Sequence, residues 1–303
     1  MTLAITGGTG CVGRRVLFLH DGQARALARS AQPPKRLVWW VAGDLADTAA
    51  LARLCDGASA VIHIAGVVNA RDRAGFEVGN VAGTANILTA AEAAGVQRFV
   101  HVSSVAAREP SLSMYGASKA AAEALVAASP LDWIMVRPPA VYGPGDRDML
   151  DVYRLAARGW GVAPGPGRFS LIHADDLARA LLTLASAGPS RVTLEIDDRR
   201  GDAANGYGFA EVAQAIGAAL GTRPRIVPLP VAALTIAATV ATAAARLTGA
   251  LPTLSRDRAR YLAHPDWVAR GGNTALADIW TPQFDLAAGI GDTVAGYRGK
   301  GWL

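Results

Sequence analysis

Short apolar runs alternate with helical patterns through the first half of the chain. Leu3–Thr6, Ala24–Ala28, Leu37–Val41, Ala60–Ile64, Phe99–Val102 and Trp133–Val136 read as strands. Between them apolar residues recur at helical spacing, as in Val12, Val16 and Leu19, or Val81, Ala85 and Leu88. This alternation predicts an α/β fold, a mostly parallel sheet with helices on both faces. A second organisation begins near Pro138, where Pro138–Asp146 and Pro164–Gly167 read as loops. A helix with Leu177, Leu181 and Leu184 returns to the sheet, and Val192–Ile196 adds a strand. Phe209, Val212, Ala213, Ile216 and Leu220 mark another amphipathic helix. The expected division is a core over residues 1–160 and a smaller, mostly helical, substrate-binding part over 161–303, with 171–200 returning to the core.

One stretch breaks the pattern. Ile226–Ala245 carries no charge and is flanked by Arg225 and Arg246. A transmembrane helix needs about 20 apolar residues. Pro228 and Pro230 break the start here and leave roughly 15 helical ones. Leu234, Ile236, Val240 and Leu247 are its large side chains, and they spread around the circumference. A helix apolar all round is buried or in lipid. Three readings stand: a buried helix or pocket wall, peripheral contact of 231–251 with anionic membrane and, least favoured, a true span.

Composition narrows the classes. Hydrophobic residues make up 51% of the 303 and charged ones 18%, which excludes a disordered charged tail and allows a large core. The formal charge of +5 comes with no long basic run, so nucleic acid is not indicated and anionic ligands or membrane are favoured. Cys11 and Cys55 form no disulfide framework and have no metal-ligand spacing. They read as reduced thiols, and Met1 leads straight into a strand, so a cytoplasmic protein without a leader is expected.

The chemistry begins at Thr6-Gly7-Gly8-Thr9-Gly10-Cys11-Val12-Gly13, between a strand and a helix. Gly7 permits a tight turn, Gly10 lets backbone approach a pyrophosphate, and Gly13 allows close helix–sheet packing. The helix N-terminus attracts the anion. The second strand ends Ala28-Arg29-Ser30, and no acid occurs between Asp21 and Asp44. An acid there would hold the ribose hydroxyls of NAD, whereas Arg29, with Ser30, suits the 2′-phosphate of NADP. Asp44 and Leu45 follow the third strand, placed to meet adenine; Asp44 also reads as a cap of the next helix. Small residues at Ala65-Gly66 suit the cofactor ribose, while His63 reads as a packed strand residue. Ser103-Ser104 ends the fifth strand, and Tyr115 and Lys119, four apart, share a helix face. A free tyrosine titrates near 10, so a proton-donating one needs a cation beside it, which Lys119 supplies.

These features resemble the extended short-chain dehydrogenase/reductases, the NAD-dependent epimerase/dehydratase family. Further matches are Asn80–Asn86, Arg137–Asp146 and His173-Ala174-Asp175-Asp176. The resemblance is strong over roughly residues 1–200. It implies a Rossmann-type doubly wound parallel sheet. It makes Tyr115 the acid/base, Lys119 the group that lowers its pKa and holds the ribose, and Ser104 the carbonyl-orienting residue, with Ser103 as the fallback. The implied cofactor contacts are Gly7, Thr9, Gly10, Cys11, Val12, Gly13, Arg29, Asp44, Leu45, Ala65, Ser103, Tyr115, Lys119, Pro138 and Val141. His173 and Asp176 read as structural.

Within the family, dehydratases need an acid–base pair beside the serine, where this chain has Val105-Ala106-Ala107. Epimerases need cations for a substrate diphosphate, where this chain has its uncharged stretch. A ketone reductase using NADPH on a hydrophobic, steroid-like, polyketide-like or lipid substrate is therefore expected. Ala65–Ala70, Ser104–Pro110 and the apolar segment resemble the bacterial branch that reduces the 3-keto group of N-acylated sphingoid bases. A sugar-nucleotide epimerase is the runner-up. A non-catalytic dinucleotide-binding subunit is the reading from another class, disfavoured by the intact Tyr115/Lys119 pair.

Overall fold

The predicted alternation is realised in a computed structural model of the chain, which describes residues 1–198, 205–248 and 254–303, without the side chains of 246–248. The chain divides into two units. The first comprises Met1–Pro138, Leu177–Ile196 and Arg270–Thr281, the second Pro139–Asp176, Asp197–Ala269 and Pro282–Leu303. The boundary expected at 160 thus falls at Pro138, where the sixth strand ends. The chain re-enters the first unit twice, first over Leu177–Ile196, where Leu177, Leu181 and Leu184 are fully buried and Val192–Glu195 extends the sheet, and again over Arg270–Thr281.

Strands β1 (Thr2–Thr6), β2 (Gln23–Ala28), β3 (Val38–Ala42), β4 (Ala60–His63), β5 (Arg98–Val102) and β6 (Asp132–Arg137) lie in the first unit. The second holds β7 (Ala140–Tyr142), β8 (Trp160–Ala163), β9 (Arg168–Phe169) and β10 (Leu171–His173). Then come β11 (Val192–Glu195) in the first unit, and β12 (Tyr207–Gly208), β13 (Arg225–Pro228) and β14 (Asp266–Trp267) in the second. Seven strands of the first unit form one sheet in the order β11-β6-β5-β4-β1-β2-β3. Every pairing in it is parallel. Ala4, Val61, Phe99 and Met135 bury into one cluster, while the alternating Ile5, Ile62, Val100 and Ile134 are equally buried. A sheet buried on both faces is the doubly wound arrangement.

The helices of the first unit's opening segment are α1 (Cys11–Leu19), α2 (Thr48–Cys55), α3 (Arg73–Phe76), α4 (Gly83–Ala93) and α5 (Met114–Ala128). A π-helical turn, Glu77–Ala82, joins α3 to α4. Then follow α6 (Leu150–Ala157), α7 (Ala174–Leu184), α8 (Phe209–Leu220), α9 (Val231–Thr248), α10 (Arg256–Ala263), α11 (Gly272–Ala275) and α12 (Leu286–Gly299). Elements α6, α8 and α12 build the main core of the second unit around Tyr153, Ile216, Ile290 and Tyr297. A separate small cluster joins Leu234 and Ala238 of α9 to Ala259 of α10.

Two sequence expectations change. The Pro138–Asp146 loop contains β7, paired with β10; three residues are too few for a periodicity to show. Helix α9 is 18 residues long, and only one side of it is buried. Leu234 is 4% exposed but Ile236 is 66% exposed, so the stretch is not a buried helix. No helix among the described residues is long and apolar enough to cross a membrane. Residues 249–251 and the side chains of Arg246 and Leu247 lie outside the described residues.

Candidate active site

The strand order reverses between β1 and β4, and parallel sheets bind ligands at that point, at the carboxyl ends of the strands. Gly7 leaves β1 with φ of +75° and lies so close to the neighbouring strand end that a methyl group on it would come 2.7 Å from the Ala65 nitrogen. The Thr6 hydroxyl accepts from the Ala65 N–H at 3.2 Å, locking the two strand ends together. Gly10 N–H donates to the Gly7 carbonyl at 3.0 Å, and a methyl group at Gly13 would overlap that same oxygen. The loop therefore folds flat against the start of α1. Gly10 brings no capping side chain, and the first turn of α1 carries no acid. Bare backbone, a helix N-terminus and no competing carboxylate fit a dinucleotide pyrophosphate.

Arg29 is exposed directly after β2, with Ser30 beside it. Asp44 accepts from the N–H groups of Ala46 (2.8 Å) and Asp47 (3.2 Å) and so closes the turn after β3. It does not cap α2. That role belongs to Asp47, whose carboxylate accepts from Ala50 N–H at 2.9 Å. Sequence alone offered two aspartates three apart, and only the helix start decides between them. Leu45 packs on Gly83 of α4, and its carbonyl accepts from the Asn86 amide at 2.8 Å.

The Ser-Ser segment, Tyr115 and Lys119 all belong to the first unit. Ser113 caps α5 by accepting from Gly116 N–H at 2.9 Å, which starts the helix just before Tyr115. Lys119 is buried, and its ammonium donates to the Val102 carbonyl at 2.8 Å, at the end of β5. A methyl group on Gly66 would lie 3.5 Å from the same nitrogen. Burial pushes Lys119 down to about 8, against the opposing pull of Glu123. Tyr115 is half-buried, its ring 6.3 Å from that of Phe76. Ser104 accepts from Ala106 N–H at 3.2 Å; the Ser103 hydroxyl is buried with no partner among the described residues. Pro138 is buried at the close of the first unit, and its carbonyl accepts from Val105 N–H at 3.1 Å. Val141 lies in β7 of the second unit, half-buried.

A set of supporting bonds was not read from the sequence, although Asn80 and Arg137 lie in the family-matching segments. Asn80, in the π-helical turn, donates to the Ser118 hydroxyl (2.8 Å) and the Val67 carbonyl (2.9 Å) and accepts from Val67 N–H (2.6 Å). It thereby clamps the segment after β4 to α5. Such turns recur at functional sites. Arg137 grips Glu123 of α5 with two bonds, 2.8 and 2.6 Å. It also reaches Glu195 at 3.4 Å, and Glu195 holds Arg108 at 2.9 Å. This buried chain of charges ties α5 to the turn that follows Ser104. Glu123 lies one helical turn past Lys119 and Glu195 is brought to β6 only by the fold; neither was singled out in the sequence. His63 packs as expected, bonded to Thr6 (2.6 Å) and Thr84 (3.1 Å). Burial, and then Lys119, holds it down at about 3. His101, 5.4 Å away ring to ring, is pushed well below its ordinary value by burial, Lys119 and His63. Both rings stay neutral, which leaves Lys119 as the cation of this cluster. In the second unit Asp176 accepts from the N–H groups of Gln283 (2.8 Å) and Phe284 (2.9 Å), and His173 stacks on Phe284 at 3.9 Å. Both side chains hold segments of that unit together.

Comparison with known proteins agrees with this geometry. The sequence matches the model of the NAD dependent epimerase/dehydratase family over residues 3–196. It is 37% identical to the ceramide reductase of Caulobacter vibrioides, over 99% of this chain and 96% of that one. It is 30% identical to a farnesyl-dihydroquinoline-oxide ketoreductase of Stigmatella aurantiaca, over 62% of this chain and 66% of that one. The structure of the enzyme WbmH of Bordetella bronchiseptica, solved with NAD+, superposes with a TM-score of 0.76 at 18% identity, covering 99% of both chains. These two sequence relatives are reductases, and the fold is one that binds a nicotinamide dinucleotide. The chain belongs to the NAD-dependent epimerase/dehydratase family of extended short-chain dehydrogenase/reductases, as an oxidoreductase.

Proposed function

We propose that this protein reduces a hydrophobic ketone with NADPH, and that the ketone is the 3-keto group of an N-acylated sphingoid base, giving a ceramide. The observation that carries the reading is Lys119, a buried ammonium one helical turn from Tyr115 at the carboxyl end of β5. Similarity to a ceramide reductase along almost the whole of both chains supports the substrate class.

Bound NADPH supplies the hydride. Tyr115 donates its phenolic proton to the ketone oxygen, so that carbon gains hydride, oxygen gains a proton, and an alcohol leaves with NADP+ remaining. The Ser104 hydroxyl holds the ketone oxygen in line, with Ser103 beside it. Lys119 stabilises the tyrosinate left behind, which regains its proton from solvent. Arg29 holds the 2′-phosphate, since the end of β2 offers a cation and no acid. Asp44 and Leu45 take the adenine. Gly7 to Gly13 take the pyrophosphate. Ala65 lines the ribose. Pro138 is assigned to the nicotinamide end.

The test is direct. Purified protein given NADPH and dispersed 3-ketoceramide should form ceramide with one NADPH oxidised per molecule. A protein that instead interconverts UDP-sugars without net NADPH oxidation is an epimerase, and the proposal fails.

A further inference from the structure

Six of the large apolar side chains that remain exposed lie on β8, β13 and α9 of the second unit. Strands β8 and β13 pair in parallel, with Trp160 opposite Arg225 and Val162 opposite Val227. Strand side chains alternate in direction. Here Gly161 is buried and Ile226 half-buried, while Trp160, Val162 and Val227 are 45%, 40% and 40% exposed. The Arg225 guanidinium lies 5.9 Å from the Trp160 ring centre. Leu229 N–H donates to the Ala163 carbonyl at 2.9 Å, and the chain passes at once into α9. There Val231, Ile236 and Val240 are 48%, 66% and 64% exposed.

The solvent side of α9 lacks what such a side ordinarily carries. From 226 to 245 there is no charged residue. Thr235 and Thr239 are exposed, but their hydroxyls donate back to the carbonyls of Val231 and Thr235, both at 2.8 Å. The helix thus presents methyl groups and alkyl chains where other exposed helices present charges. Among the described residues its buried side, Leu234 and Ala238, packs in a small cluster with Ala259 and Leu262 of α10 and with Leu229 and Leu254.

Charge completes the picture. Residues 221–265 contain Arg223, Arg225, Arg246, Arg256, Arg258 and Arg260 against the single Asp257. That is the whole formal excess of the chain, +5, because the remaining residues balance. Arg256, Arg258 and Arg260 are exposed on α10, the helix that packs against α9.

We infer that the β8–β13 ribbon and α9 form a shallow docking surface for an anionic lipid bilayer. Ile236 and Val240, on the side of α9 away from Leu234 and Ala238, enter the acyl boundary, Trp160 sits at headgroup level, and Arg225, Arg256, Arg258 and Arg260 meet lipid phosphates. A second protein copy with the same excess of arginine would repel this surface; an anionic bilayer satisfies both its apolar and its cationic parts. The inference deepens the reductase reading, since a two-chain lipid ketone resides in a membrane and its reductase gains by sitting on one.

Flotation with vesicles of phosphatidylglycerol and phosphatidylcholine tests it. Wild-type protein should float with anionic vesicles at low salt, at least tenfold less with pure phosphatidylcholine, and less at high salt. Quenching by brominated lipid should fall when Trp160 becomes Phe. Ile236→Asp/Val240→Asp should lose flotation at least tenfold while reducing a soluble short-chain ketone at the wild-type rate. If that pair fails to fold, Arg256→Glu/Arg260→Glu carries the test with the same expectation. Wild-type protein that stays in the soluble fraction at low salt overturns the inference. So does a wild-type dimer that dissociates in the Val240→Asp variant without any vesicle binding. Vesicle binding without reduction of any ketone leaves the surface standing and overturns the reductase reading instead.

Discussion

Helices α5 and α9 are both built largely of alanine, and they break the ordinary rule of burial in opposite directions. Helix α5 buries Lys119 and Glu123. Helix α9 exposes Ile236 and Val240. Burying an ammonium costs free energy unless it is bonded and useful. Exposing an apolar face forgoes burial of roughly 25 cal/mol per Å². Alanine is common to both because it fits either a crowded interior or a thin surface and favours the helix by itself. What separates them is the setting of the exceptional residues. Around Lys119 the fold supplies a carbonyl, a carboxylate one turn on, and two neutral imidazoles. Around Ile236 the exposed side of α9 offers Val240 and the exposed threonines Thr235 and Thr239, with exposed arginines on α10. On the proposals made above, one helix serves a proton and the other a lipid surface.

The strongest way to break this comparison is Tyr115→Phe. It keeps the ring and removes the proton, so turnover should fall by at least about a hundredfold, while NADPH binding, followed by fluorescence, stays near normal. Next comes Arg29→Ala. A charge-assisted bond to phosphate contributes roughly 1.5–3 kcal/mol. The Kd for NADPH should therefore rise by about tenfold to a hundredfold, with that for NADH hardly moving; equal loss for both would make Arg29 structural.

Two smaller effects sharpen the account of Lys119. In the free enzyme this group loses its proton near 8, so kcat/KM should fall as pH rises through about 8. Glu123 holds that value up. Glu123→Gln should therefore move the alkaline limb to lower pH, which mere loss of packing would not do. Stability gives the last effect. Lys119 titrates near 8 when folded and near 10.5 when unfolded, so between those values the unfolded chain binds more protons. Stability then rises with pH across that window, and the cost of the buried charge is fully present below it. Lys119→Met should raise the melting temperature by a few degrees at pH 7, and calorimetry should show the gain shrinking as pH approaches 10.5.

Much of the first unit was legible because its signals are local. The glycine loop, the strand ends and the Tyr115/Lys119 spacing each lie within a few residues, and the parallel sheet follows from their order. The supports were not legible. Glu195 and Arg108 are 87 positions apart, yet bond at 2.9 Å. Asn80 meets Ser118 across 38 positions. Strands β7 to β10 are too short for period-two patterning to emerge, so the second unit read as loops and helices. The exposed side of α9 was ambiguous for another reason. An uncharged helix has the same sequence whether protein or lipid covers it, and only its neighbours decide. Asp44 shows the limit of motif reading at short range: the residue lies where expected, but its neighbour Asp47 takes the cap.

The central claim is that α5 carries the proton donor of a hydride-transfer reaction on a ketone. Single-turnover reaction of NADPH deuterated at the transferring position with 3-ketoceramide tests it most directly. Wild-type protein should place deuterium on the carbinol carbon of ceramide, and Tyr115→Phe should bind the cofactor but form at least about a hundredfold less product per unit time. Deuterium transfer at an undiminished rate by Tyr115→Phe would contradict the account.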